Sequence, residues 1–335
     1  MQNQIAVIGG GSWGTALSQV ASYNMDKVLI YARDREVVKS INNDCKNNKY
    51  FADIKLNNNI SATSDLERII DFSKDIILSV PTNSTRSLME KISKYLCEHH
   101  TIISTAKGIE TASFKTNSEV IREFFAGNVV VLSGPTHAEE VIRQIPTAIV
   151  AAAKNRKTAI QIQNMLMTPR FRIYTLLDIK GVEIAGAIKN IIAVASGITD
   201  GIGYGDNTKA ALITRGLAEI VKFGLAQNTD RKTYNGLAGL GDLVVTCNSE
   251  HSRNRRFGIQ IGKGASRKKA AKVVNQIVEG VKTVQAVHDY LLNNKELKMP
   301  ITQEVYKVLY ENKEPIQAVD DLMSREAKDE FYYLS

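Results

Sequence analysis

The sequence predicts an α/β chain in which an N-terminal doubly wound parallel sheet is followed by an all-α C-terminal half. Three patterns predict it. Up to about residue 177, short β-rich runs alternate with helically patterned segments, the signature of a parallel sheet wrapped by helices. From Gly181 onward the alternation stops, and apolar residues recur only at helical spacing. Between the first strand and the first helix stands a glycine-rich turn with G-x-G-x-x-G spacing. The expected domains are therefore residues 1–178, carrying the sheet, and 179–335, all helical.

Taken in order, strands are expected at 4–8, 27–32, 75–80, 101–105, 129–133, 148–152 and 172–176. The run Ile76-Ile77-Leu78-Ser79-Val80 hardly alternates, as expected when helices cover both faces of the sheet. Helices are expected at 182–196, 208–226, 268–278, 283–292 and 302–310. No Pro/Gly/Ser-rich linker separates the halves, which predicts a shared interface with a ligand cleft in it.

With 335 residues and 44% hydrophobic composition, the chain has the material for two cores. Charged residues make up 23%, and neither an internal repeat nor a low-complexity segment occurs, so disordered and fibrous classes are excluded. Met1-Gln2-Asn3-Gln4 leads straight into an apolar strand, without the basic start and cleavage site of a secretory leader. The longest apolar stretch, 184–198, is broken by Lys189 and Asn190 and reads as too short to span a bilayer. A cytoplasmic protein without integral membrane association is expected. Cys45, Cys97 and Cys247 show neither Cys-x-x-Cys nor Cys/His ligand spacing, so free thiols are expected, with no metal. The formal net charge of +8 suits an anionic ligand. Between residues 253 and 282, nine Lys and Arg stand against a single acid, Glu279.

Gly9-Gly10-Gly11-Ser12-Trp13-Gly14 follows the first strand and opens a helix. In that context Gly9 allows the tight turn, Gly11 lets backbone approach a pyrophosphate, and Gly14 permits close helix–strand packing. A glycine turn can serve packing alone, but strand, helix and a second strand around it favour a Rossmann-like nucleotide site. The second strand ends in Tyr31-Ala32-Arg33-Asp34. An acid there holds the ribose hydroxyls of NAD, and an arginine accepts the extra phosphate of NADP. Both are present, and Arg33 tilts the reading toward NADPH.

Lys189 has Ala185, Gly186, Ile192 and Ala193 one helical turn away on either side. An ammonium on so tightly packing a face is partly desolvated, which lowers its pKa toward the range useful for proton transfer. From spacing alone, a lysine snorkelling out of a packed helix is the plainer reading. Lys107, in Thr105-Ala106-Lys107-Gly108, stands just past a strand's carboxyl end, where doubly wound sheets bind ligands.

Further on, Gly236-Leu237-Ala238-Gly239-Leu240-Gly241-Asp242-Leu243 is followed by Thr246-Cys247 and Ser252-Arg253-Asn254. With these residues the chain resembles the bacterial type of NAD(P)-dependent glycerol-3-phosphate dehydrogenase. The resemblance spans nearly the whole chain and rests on five motifs in order: the Gly9 loop, the Lys107 strand end, Ser133-Gly134-Pro135-Thr136, Lys189-Asn190, and the segment from Asp242 to Asn254. It implies reversible reduction of dihydroxyacetone phosphate to sn-glycerol 3-phosphate with NADPH or NADH, feeding glycerophospholipid synthesis, with no metal. It implies cofactor contacts by Ser12, Trp13, Arg33, Lys107, Ala138, Arg253, Ile277 and Glu279, beside the glycines already named. Substrate contacts are implied for Lys107, Gly134, Thr136, Lys189, Asp242, Ser252, Arg253 and Asn254, with Lys189 as the proton-transferring group. The family often has an aromatic residue where His137 stands and a serine where Thr136 stands.

These residue types fit the chemistry. Carbonyl reduction needs a hydride, a proton for the developing alkoxide and donors for a dianionic phosphate. Lys189 meets the second need, while Arg253 offers a planar fork for the third, helped by Ser252 and Asn254. Asp242 is expected to orient Lys189 or a substrate hydroxyl. The basic stretch raises a nucleic-acid-binding alternative, but no recognition-helix or RNA-binding aromatic motif accompanies it. A nucleotide sensor on the same fold, and a dehydrogenase of another small hydroxy compound, are the remaining alternatives. A homodimer is compatible with the sequence but not specified by it.

Overall fold

Strands β1 (Gln4–Ile8), β2 (Lys27–Tyr31), β3 (Ile60–Thr63), β4 (Asp75–Leu78), β5 (Thr101–Ser104), β6 (Asn128–Ser133), β7 (Thr147–Ala153) and β8 (Phe171–Leu176) form one sheet in the order β3-β2-β1-β4-β5-β6-β7-β8. The computed structural model describes residues 3–327, 329 and 330; the tail 331–335, to which the sequence assigns no role, lies outside them. The chain winds outward from β1 in one direction to β3 and then in the other through β4, so the order reverses between β1 and β4. That reversal makes the carboxyl end of β1 the expected ligand edge.

Helices α1 (Ser12–Ala21), α2 (Arg35–Asp44), α3 (Leu66–Phe72), α4 (Thr82–Ile92), α5 (Asn117–Arg122), α6 (Ala138–Val141) and α7 (Arg156–Leu166) connect the strands. Alternate strand residues feed two separate cores: Ile5, Val7, Val28 and Ile30 enter one, and Ala6, Ile8, Leu29 and Ile76 the other. Period-2 geometry and cover on both faces explain why these strands read as unbroken apolar runs. Two features of the sheet depart from the sequence reading. β3 was not expected, because its short Ile-Ser-Ala-Thr run follows an asparagine-rich segment with little apolar signal. β7 runs antiparallel to β6. The intervening segment holds only the four-residue α6, too little for the crossover helix that a parallel return normally requires.

The chain divides into two compact units, Met1–Lys107 with Thr116–Ile179, and Gly108–Lys115 with Lys180–Ser335. The second unit contains α8 (Ile179–Ile202), α9 (Asp206–Ala226), α10 (Arg231–Tyr234), a π-helical turn (Leu237–Gly241), α11 (Asp242–Asn248), α12 (Arg253–Gly262), α13 (Arg267–Val274), α14 (Glu279–Asn293), α15 (Pro300–Tyr310) and α16 (Pro315–Met323). Residues 108–115 leave the sheet order to join this unit: the Phe114 ring stacks on Tyr290 at 4.5 Å and meets Phe223 edge-on at 6.0 Å.

α8 is the axis of the helical unit. It is 24 residues long, and its most apolar 18-residue window has mean hydropathy 1.4, long and apolar enough to cross a membrane, which corrects the reading of this segment as too short. Its apolar window is entirely buried inside the protein, so it serves as a core helix. Glycines set its closest neighbour. A methyl group added at Gly197 would lie 2.1 Å from the Arg255 carbonyl oxygen, and one at Gly258 would lie 2.2 Å from that of Val194. α8 and α12 thus cross backbone against backbone.

Glu219, on α9, is buried and caps α15. Its Oε1 accepts from the Ile301 N–H at 2.6 Å, and Oε2 accepts from the Thr302 N–H at 3.1 Å and hydroxyl at 2.8 Å. Burial pushes its carboxyl from the ordinary 4.5 up to about 7, against the lowering effect of those donors and of Arg325. Between these values the folded chain binds the proton that the unfolded chain releases, so stability falls as pH rises from 4.5 through about 7. The loss is on the order of 3 kcal/mol. Glu219→Gln is expected to flatten that slope in urea titrations across this pH window. An unchanged slope would place its origin in another group.

Candidate active site

In the first unit, Gly9 has φ +128°, and a methyl group there would fall 2.2 Å from the Ser79 carbonyl oxygen at the end of β4. Gly14 in turn sits with its Cα hydrogen against Gly9, where a Cβ would meet the Gly9 oxygen at 1.9 Å. These contacts leave no alternative to glycine at either position. Nothing lies within 4 Å of a Cβ built at Gly11, which is also the N-cap of α1. No side chain caps that helix and no acid stands in its first turn. Its leading N–H groups and positive dipole end are therefore available to an anion. The loop fits a dinucleotide pyrophosphate, with Ser12 and Trp13 as the first helical residues beside it.

At the end of β2, Asp34 is committed elsewhere. One oxygen caps α2 by accepting from the Glu36 N–H at 3.1 Å, and the other accepts from Lys49 Nζ at 2.9 Å. The hydrogen bond from Lys49, followed by that from Glu36, holds its carboxyl below the ordinary range. Arg33 is exposed beside it. Lys49 carries no signal in sequence, since 15 residues separate the pair.

At the carboxyl ends of β5 and β6, Lys107 Nζ and the Thr136 hydroxyl both donate to the Gly134 carbonyl oxygen, at 2.8 and 3.1 Å. The structure thus gathers three of the expected substrate residues on one carbonyl. Ala138 is the first residue of α6, and His137 is its N-cap.

In the second unit Lys189 is buried at mid-α8, 4% exposed. Its Nζ donates to Asp242 Oδ1 at 2.5 Å and to the Thr246 hydroxyl at 2.7 Å. The Thr246 hydroxyl in turn donates to the Asp242 carbonyl oxygen at 2.5 Å. Asp242 and Thr246 are one turn apart on α11, so a single helix face meets the lysine. The π-helical turn of Leu237–Gly241 delivers Asp242 to that face. Thr246 was not assigned a role from sequence, although its spacing of four from Asp242 is the available signal. The neighbouring Cys247 thiol is pushed up to about 12, mainly by burial, which leaves it unreactive.

α12 begins with the remaining candidates. Ser252 is its N-cap, accepting from the Arg255 N–H at 3.2 Å, and Arg253 is its exposed first residue. Asn254 is bracketed: its Nδ2 donates to Asn190 Oδ1 at 2.9 Å, and its Oδ1 accepts from the Gly280 N–H at 2.9 Å. Asn190, adjacent to Lys189, is the second residue that sequence reasoning left without a role. Ile277 is exposed and Glu279 opens α14. The basic stretch is partly neutralised from within. Arg255 pairs with Asp200 at 2.7 Å, and the Arg267 guanidinium lies 4.3 Å over the Tyr310 ring. Among the described residues, no cluster of three or more His, Cys, Asp or Glu is arranged to hold a metal.

Comparison with known proteins gives matches to two family models, the NAD-dependent glycerol-3-phosphate dehydrogenase N-terminus over residues 4–159 and C-terminus over residues 178–320. A glycerol-3-phosphate dehydrogenase (NAD(P)+) of Halothermothrix orenii is 51% identical, covering 98% of this chain and 97% of its own length. One from Clostridium botulinum is 45% identical over 98% of this chain and 100% of its own. Among solved structures, a glycerol-3-phosphate dehydrogenase from Coxiella burnetii aligns with TM-score 0.92 at 34% identity, covering 97% of this chain and 99% of that one.

The buried ion pair generates a stability prediction. Asp242→Ala leaves an ammonium buried without its carboxylate and is expected to cost about 3–5 kcal/mol in urea unfolding. Adding Lys189→Met should recover most of that loss. If the double variant is no more stable than the single one, lost packing rather than stranded charge explains the effect.

Proposed function

The chain belongs to the NAD-dependent glycerol-3-phosphate dehydrogenase family, and on that premise we propose that Lys189, held by Asp242 and Thr246, moves the proton of its reaction. The enzyme is an NAD(P)-dependent oxidoreductase that interconverts dihydroxyacetone phosphate and sn-glycerol 3-phosphate. We assign the dinucleotide to a sheet domain, residues 1–178, and the proton transfer and phosphate donors to a helical domain, residues 179–335. The observation that carries the assignment is the 2.5 Å contact between Lys189 and Asp242 in a buried setting.

When bound, the nicotinamide supplies or takes the hydride. In the reducing direction the Lys189 ammonium polarises the carbonyl oxygen and gives it a proton as the alkoxide develops. Asp242 and Thr246 hold Nζ in place, and on this assignment the ammonium so held meets the substrate oxygen. In the oxidising direction the neutral amine accepts the hydroxyl proton. Asp242 acts through Lys189 as a positioning residue, as Asn190 acts through Asn254. Arg253 presents two parallel N–H donors to the phosphate, and the α12 N-terminus adds its dipole. We assign Lys107, bonded to the Gly134 carbonyl oxygen, to contact with substrate and cofactor. We assign Ile277 and Glu279 to cofactor contact, as the family resemblance implies.

We read the cofactor preference as NADPH over NADH, because Asp34 is engaged by Lys49 and its helix cap while Arg33 is exposed. We place the enzyme in the cytoplasm, a reading supported by the complete burial of the apolar window of α8. Its product feeds glycerophospholipid synthesis. Internal pairing of Arg255 and stacking of Arg267 weigh against the basic stretch as a nucleic-acid surface.

Lys189→Ala is expected to lower kcat by at least 10²-fold while the Kd for NADPH, measured by fluorescence titration, stays near wild type. Retention of most of the wild-type rate would remove Lys189 from the mechanism. Arg253→Ala should raise KM for dihydroxyacetone phosphate by roughly 10- to 100-fold. An equal loss with unphosphorylated dihydroxyacetone would argue against phosphate recognition at this residue.

A further inference from the structure

The segment between α2 and β3 carries a side chain whose contacts all point into the glycine loop. Asn47 is completely buried. Its Nδ2 donates to the Gly10 carbonyl oxygen at 3.1 Å and to the Thr15 hydroxyl at 2.8 Å. Its own backbone is fixed, since its carbonyl oxygen accepts from the Tyr50 and Phe51 N–H groups at 3.1 and 2.8 Å. Phe51 is anchored in the core. Asn47 therefore joins the loop that precedes α1 to the first turn of that helix.

We propose that Asn47 is a positioning residue for dinucleotide binding, holding the glycine loop in its phosphate-receiving shape without touching the cofactor. The inference rests on the dinucleotide reading of the Gly9–Gly14 loop given above. Gly10 lies ahead of the N-cap, so no later residue of α1 can bond to its carbonyl. Left alone, that carbonyl is free to rotate the peptide whose neighbours face the phosphates. A carbonyl oxygen only accepts, so the amide nitrogen of Asn47 must face it. Both Nδ2 hydrogens are then used, and Oδ1 has no partner among the described residues. A side chain that leaves a buried acceptor unmatched to serve two loop atoms is oriented by the loop. An aspartate would instead set oxygen against oxygen.

The test compares wild type with Asn47→Ala, Asn47→Asp and Thr15→Val, measuring NADPH Kd by fluorescence titration, steady-state kinetics and thermal midpoints. Asn47→Ala is expected to weaken NADPH binding roughly tenfold, with kcat at saturating cofactor and KM for dihydroxyacetone phosphate within about twofold of wild type. Asn47→Asp should bind more weakly still. Thr15→Val, which removes one arm of the clamp while conserving volume, should shift Kd in the same direction by a smaller factor, and Thr15→Ser should restore it. A lowered thermal midpoint with Kd unchanged in both Asn47→Ala and Thr15→Val would overturn the proposal by showing a merely structural role. So would a loss confined to kcat. Failure of the wild-type protein to bind NADPH or NADH would overturn the dinucleotide reading itself, a result distinct from either.

Discussion

A single ammonium taken out of water constrains the helical unit. Lys189 sits in the middle of a helix whose flanking turns are apolar apart from Asn190, and burying such a charge costs several kcal/mol unless a partner meets it. The partner comes from a separate helix 53 residues further on, and its position is specified by what precedes it. A glycine-rich π-helical turn opens α11, so that Asp242 and Thr246 face Lys189 together. A regular helix through the same residues would rotate that face away. The pairing that lets the charge be buried also fixes where the ammonium sits, so on the proposed role stability and reactivity draw on one contact.

The sheet unit follows the opposite rule. Its anion site is made of backbone, and its essential feature is the absence of side chains: glycines in contact with neighbouring peptides, a helix without a cap, and a first turn without an acid. The acid nearby is tied off, Asp34 by Lys49. A dinucleotide presents phosphates of fixed spacing, which oriented N–H groups match without the entropy of flexible chains. One domain thus preorganises peptide dipoles and the other preorganises a single ionised side chain.

Much of this was legible in the sequence, for identifiable reasons. The buried strands announced themselves because cover on both faces removes polar alternation, and the glycine loop because its sterics admit no substitute. The all-helical second half was equally plain from its 3.6-residue period. β3 escaped notice because a short edge strand needs few apolar residues, and the direction of β7 because strand polarity depends on the connection rather than on the strand. The helices holding the candidate phosphate donors were not marked out, since α12 is rich in arginine and its helical face is narrow. Pairings such as Lys189 with Thr246, Asn254 with Asn190, or Asn47 with Gly10 link residues tens of positions apart, and nothing local in the chain encodes them.

The crossing of α8 and α12 has a consequence for the range of molecules that the enzyme can accept. α8 carries Lys189 and α12 begins with Arg253, and the two helices touch through glycine on both sides. With the proposed roles of these residues, the interval between the reacting oxygen and the phosphate is gauged by two peptide backbones already in contact. Side-chain rotamers still adjust the reach at either end, most of all at the exposed Arg253, but the helix backbones that carry the two groups cannot move apart without losing the glycine contacts. On those roles, a ketone whose phosphate hangs from a longer carbon chain has to be met by side-chain movement alone, since the two helices are held together at their glycines.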